Sequence, residues 1–194
     1  MTNDRIRNHR TWIGCIGLAL ALAVFVACPA QDDVLKPIRV GMIGLDTSHV
    51  IAFTKTINDA KSGDFAGIRV VAGFPGGTDI PSSRDRVGKF TAELRGMGIE
   101  ICDSIPALLE KVDAVLLESV DGRPHLEQVR PVFEAGKRVF IDKPLAGSLV
   151  DAVLIAELGK KHGVPWFSSS SLRFAPKTIA CRRGDEDEEN QGTP

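Results

Sequence analysis

The chain has 194 residues, 43% of them hydrophobic and 25% charged, with 24 basic against 25 acidic side chains for a formal charge of −1. That balance describes an ordinary globular protein of one domain or slightly more, and 19 glycines and 11 prolines in no repeating triplet exclude collagen-like and wholly disordered readings. A pI near 6.4 argues against a general binder of phosphate backbones, so no nucleic-acid partner is expected.

The first element is not part of a fold. Arg5, Arg7 and Arg10 precede an uncharged stretch over 11–31 with a continuous apolar run at 18–27. Basic residues, an apolar run and then small residues make residues 1–30 a secretory signal peptide, and the expected location is periplasmic or extracellular. Cleavage after Ala30 is one outcome. An imperfect lipoprotein box at Phe25-Val26-Ala27-Cys28 offers lipidation, and retention of 12–28 would give a membrane anchor. Outside this segment only Cys102 and Cys181 remain, and no Cys/His spacing indicates a metal site.

From Ile38 onward, short β-branched runs alternate with segments of helical period, the pattern of a doubly wound parallel sheet with crossover helices. Strands are expected at 38–43, 68–73, 100–102, 114–118, 138–141 and 164–168. Helices are expected at 49–59, 84–97 and 124–135, the last crossing Pro131. A fourth opens at the capping box Ser148 to Asp151 and stops at Gly163. Right-handed crossovers put the strand ends and helix starts on one edge, where such sheets bind ligands.

The first strand leads into Gly44-Leu45-Asp46-Thr47-Ser48-His49, where a dinucleotide-binding fold carries G-x-G-x-x-G. Asp46 stands at the second glycine, where a carboxylate would fill space and repel phosphates, and His49 at the third, where imidazole would hinder helix–strand packing. Thr47 and Ser48 offer hydroxyls and backbone N–H groups. Alternatively Asp46 and Ser48 only cap the next helix. The second strand ends in glycines, and its acid, Asp79, comes late for a ribose. Arg84 and Arg86 then favour surface pairing over a 2′-phosphate. Lys143 follows the fifth strand between Asp142 and Pro144, where an ammonium can bind a substrate hydroxyl and assist its proton transfer.

With the glycine start, His125, Gly136-Lys137-x-Val139, Asp142-Lys143-Pro144 and Arg173-Phe174-x-Pro176 in this order, the chain resembles the Gfo/Idh/MocA family from about Ile38 to Pro176. The family is named after glucose-fructose oxidoreductase and inositol dehydrogenase. The resemblance implies an α/β Rossmann domain over 36–176 that binds NAD or NADP, and hydride transfer to or from a hydroxyl of a small-molecule sugar or polyol. It implies catalytic roles for Lys143 and His125, and cofactor contacts from Gly44, Leu45, Asp46, Thr47, Ser48, Ser119, Asp142, Lys143 and Arg173. Relatives continue into an α+β domain. Here residues 177–194, with the acidic run 185–189, read as a disordered tail, so most of that domain is expected to be missing and a homo-oligomer is expected only where it is present. A non-catalytic nucleotide- or sugar-binding module is the competing expectation.

Overall fold

The structure, a computed structural model, describes residues 36–60 and 63–184. The expected signal segment and the acidic run 185–189 lie outside these residues. Among the described residues no helix is long and apolar enough to cross a membrane.

Six strands form one parallel sheet: β1 (Ile38–Ile43), β2 (Ile68–Phe74), β3 (Glu100–Ile101), β4 (Ala114–Leu117), β5 (Arg138–Asp142) and β6 (Trp166–Ser169). Their spatial order is β3-β2-β1-β4-β5-β6, with every pairing parallel. This is the Rossmann order, and its direction reverses between β1 and β4. The crossovers are α1 (His49–Asp59), α2 (Pro81–Gly96), the short α3 (Ile105–Leu109), α4 (His125–Glu134) and α5 (Leu149–His162). After β6 come a 3-10 turn (Ser171–Phe174) and α6 (Pro176–Arg183). A helix over Pro176–Arg183 corrects the expectation that the tail begins at 177.

Alternation along the central strands builds two cores. Val40 and Met42 of β1 pack with Leu45, Val50 and Leu94 on the α1–α2 face. Ile43, with Val115 and Leu117 of β4 and Val139 and Ile141 of β5, meets Val129, Phe133 and Ile155 on the α4–α5 face. Side chains that point alternately to both faces require apolar residues at consecutive positions, which is why β1 from Val40 onward and β4 read as continuous apolar runs. Each fully buried aliphatic side chain here contributes roughly 1.5–3 kcal/mol. Two ends are well marked: Ser148 Oγ accepts from Asp151 N at 3.1 Å to start α5, and Gly163 at φ 63° ends it.

Candidate active site

The carboxyl edge of the sheet gathers the turns after β1, β4, β5 and β6. In the first, Gly44 has φ +85°, and a Cβ there would press into Ser119, with its Cα 2.5 Å away. The turn is tight because it lies directly against the turn after β4. Gly44 N donates to Phe74 O at 3.0 Å and Leu45 N to Pro75 O at 2.8 Å, which binds the turn to the end of β2. The Leu45 side chain is fully buried in the α1–α2 core.

Asp46 corrects the expectation of a carboxylate in phosphate space. It is fully buried, with Oδ1 accepting from Val120 N at 2.9 Å and Oδ2 from Ser83 Oγ at 2.6 Å. Ser83 Oγ in turn accepts from Thr78 N at 2.7 Å. The carboxylate therefore turns inward and ties the β1 turn to the turn after β4 and to α2. Asp46→Ala should destabilise the protein by about 3 kcal/mol in urea unfolding, because it strands two buried donors.

The capping alternative is also corrected, since neither Asp46 nor Ser48 makes a side-chain bond to the start of α1. Thr47 is buried and its Oγ1 lies a long 3.4 Å from His49 N; Ser48 is exposed, and the first turn holds no acid. An uncapped helix start keeps N–H groups and a positive dipole end for an anion. His49 does not wedge between helix and strand. Its ring turns out beside Phe53, 5.5 Å between centroids, and α1 packs through Val50, Ile51 and Thr54 instead.

Across the reversal point, Asp142 ends β5 nearly buried and its Oδ2 lies 2.6 Å from His49 Nδ1. Glu118, just past β4, is completely buried, and its Oε2 lies 3.9 Å from the same nitrogen. Neither Glu118 oxygen has a hydrogen-bond partner. Burial, reinforced by the Asp142 charge and opposed by Lys143, pushes the Glu118 carboxyl up to about 8. The Lys143 side chain is half exposed, with Nζ 3.9 Å from Asp142 Oδ2. His49, Asp142 and Lys143 line a cleft of about 400 Å³ with Phe53, Phe140 and Ser169. Ser169 Oγ, also buried, likewise has no hydrogen-bond partner.

The remaining expected site residues stand apart from this group. Ser119 is buried and donates from Oγ to Gln128 Oε1 at 2.8 Å. His125 is fully buried, with Nε2 2.9 Å from Ser119 O and Nδ1 3.1 Å from Leu145 O, bracing the turn after β4 against the segment after β5. It is not among the residues lining the cleft. Arg173 is exposed in the 3-10 turn. Asp79 is held by Arg123 Nη2 at 2.6 Å, and Arg123 also grips Asp121, whose carboxyl drops to about 2. Arg84 pairs with Asp85. Sequence reasoning took Glu118 only as the end of an apolar strand; an acid closing the buried run Ala114-Val115-Leu116-Leu117 was the available signal.

Residues 78–169 match the model of the oxidoreductase family with an NAD-binding Rossmann fold, Gfo/Idh/MocA. Inositol 2-dehydrogenase 3 of Saccharopolyspora erythraea is 31% identical over 134 residues, covering 65% of this chain and 33% of that protein. The chain therefore spans about a third of the curated relative's length. The dehydrogenase MviM of Clostridium difficile is 28% identical, with a TM-score of 0.53 over 74% of this chain and 43% of its own. The WlbA dehydrogenase of Bordetella pertussis, solved with NADH and UDP-GlcNAcA, is 20% identical and shares the fold, with a TM-score of 0.58 over 76% of this chain and 42% of its own. The strand order agrees with these likenesses, and the chain is similar to the Gfo/Idh/MocA oxidoreductases over their N-terminal Rossmann half.

Proposed function

We propose that this domain binds NAD or NADP across the reversal point of the sheet, and that the whole protein transfers hydride between that cofactor and a sugar or polyol hydroxyl. The placement of Lys143 carries the reading. It is half exposed beyond β5, in a cleft shared with His49 and Asp142, on the same edge as the uncapped start of α1. That helix start fits a diphosphate, and with the Asp46 carboxylate buried in bonds to Ser83 and Val120, no charge of the turn opposes it. The family description supports a nicotinamide cofactor, as does the NADH in the WlbA structure. The inositol dehydrogenase relative supports a polyol.

A bound nicotinamide supplies the hydride donor or acceptor. The chain's own residues bind and orient. Lys143 Nζ would donate a hydrogen bond to the substrate oxygen and, in the direction of carbonyl reduction, supply the proton that completes the hydroxyl. Asp142 holds the ammonium on the cleft side, and His49 fixes Asp142 through the bond to Oδ2. The basic and apolar amino terminus supports export, with action outside the cytoplasm or at its membrane.

Titration of the purified chain with NADH and NADPH, followed by nicotinamide fluorescence, tests the cofactor assignment. Saturable binding of at least one is expected, and no binding of either at millimolar concentration overturns it. Lys143→Met should leave dinucleotide affinity within about twofold while lowering turnover by about 100-fold or more. Binding without turnover on any sugar or polyol would favour a non-catalytic module. The amides of Gly44 and Leu45, already committed to Phe74 and Pro75, also point that way.

A further inference from the structure

We infer that His49, Glu118 and Asp142 form a binding site for a divalent first-row cation at the edge of the cleft. Three elements deliver the three side chains: the first residue of α1, the residue just past β4, and the last residue of β5. One potential ligand atom from each, an imidazole nitrogen and two carboxylate oxygens, lies within 4.8 Å of the other two.

The separations suit a metal. Ligand atoms held about 2.1 Å from a common cation stand roughly 3 to 3.5 Å apart. His49 Nδ1 and Asp142 Oδ2 are 2.6 Å apart and His49 Nδ1 and Glu118 Oε2 are 3.9 Å apart, so both have to change by less than about 1 Å, and the carboxylate pair, within 4.8 Å, has to close by less than about 2 Å.

Glu118 supplies the independent observation. It is 0% exposed and both its oxygens lack a partner, while His49 Nδ1 lies 3.9 Å from Oε2 and an Asp142 oxygen stands within 4.8 Å. A buried carboxylate with no bonded group is costly, and folds keep one where a proton, a counter-ion or a metal completes it. Lys143 reaches only Asp142, at 3.9 Å, and is half exposed, so it can swing into the cleft when a cation takes its place.

One imidazole with two carboxylates suits Zn²⁺ or Mn²⁺ rather than a thiolate-seeking ion. Three protein ligands with one side facing a cleft leave a coordination position for water or a substrate oxygen, the arrangement of catalytic rather than structural sites. Sequence spacing gave no sign of this because His49 and Asp142 are 93 positions apart and meet only through the sheet. The inference rests on this geometry and not on the cofactor assignment, so its test contains no dinucleotide.

The probe is Mn²⁺, which largely ignores the free thiols of Cys102 and Cys181. The full chain, stripped with EDTA and dialysed, is titrated with Mn²⁺ and the free ion is read by electron paramagnetic resonance. Expected is one equivalent bound at micromolar concentration, weakened about tenfold or more by Glu118→Gln and by His49→Gln. Both variants are near in size to the native residue, and His49 is only half-buried, so circular dichroism should show both folded. A Mn²⁺-induced rise in melting temperature should occur in the native chain and vanish in Glu118→Gln. No saturable binding up to millimolar Mn²⁺, or binding equally tight in the native chain and both variants, would overturn the site.

Discussion

Gly44→Ala is expected to cost about 3 to 5 kcal/mol of folding free energy, read as a large drop in the urea midpoint. Two effects add. The φ of +85° penalises any residue with a Cβ by about 1 to 2 kcal/mol, and the new methyl group would press on the backbone of Ser119, which cannot rotate away. Gly67→Ala is the matched control. Gly67 has φ +82°, but a Cβ there meets nothing within 4 Å, so only the conformational penalty of about 1 kcal/mol remains. A similar small loss at both positions would mean that the β1 turn does not lie against the turn after β4, and the geometry of the site would need revision.

Glu118→Gln should act in the opposite direction. In the metal-free protein the Glu118 carboxyl is raised from 4.5 to about 8, chiefly by burial. The folded state therefore holds the proton more tightly than the unfolded state does. This contribution is fully present below about pH 4.5 and is lost as pH rises to about 8, a total of roughly 5 kcal/mol at about 1.4 kcal/mol per pH unit. Glutamine stays neutral throughout. In EDTA the variant should match the native chain near pH 4.5 and exceed it by about 3 kcal/mol at pH 7. Subtracting the two profiles removes the other titrating groups. A difference that does not change with pH would show that Glu118 is not buried among Asp142, His49 and Lys143 as described. Such a gain on substitution marks a residue kept at the expense of stability, as expected of a group that serves a site.

Much of this architecture is readable in the sequence. The β1 and α1 boundaries are legible because the Ile38–Ile43 run is bounded by Pro37 and Gly44, and the helical stripe of Val50, Phe53 and Ile57 begins at once. Several ends shifted by one to three residues, and some elements escaped for local reasons. Val164 packs into the core, but Pro165 has no N–H to donate, so β6 starts at Trp166 rather than at 164. The five residues of α3 are too few for a period, and the polar Pro176–Arg183 stretch merges with the acidic run that follows.

The site divides similarly. Gly44, Asp142 and Lys143 are legible because a turn and a strand end announce them. The bonds of Asp46 join residues 37 and 74 positions away, and the contact between His49 and Asp142 spans 93. Side-chain direction across such distances depends on the closed sheet, so the sequence could place Asp46 at the turn but could not show that it faces inward. Even the fingerprint departures change meaning once folded: Asp46 became a tie between turns, and His49 became a member of the cleft.

The central claim is that a nicotinamide dinucleotide lies across the reversal point, with its diphosphate at the start of α1 and its reactive end beside Lys143. Backbone amide chemical-shift mapping of the 194-residue chain with NADH and NADPH tests this directly. One of the two should move the resonances of Thr47 to Val50, Val120 to Gly122 and Asp142 to Lys143 together, with a single saturation curve. Shifts confined to surfaces away from β1, β4 and β5, or none at saturating dinucleotide, would contradict it.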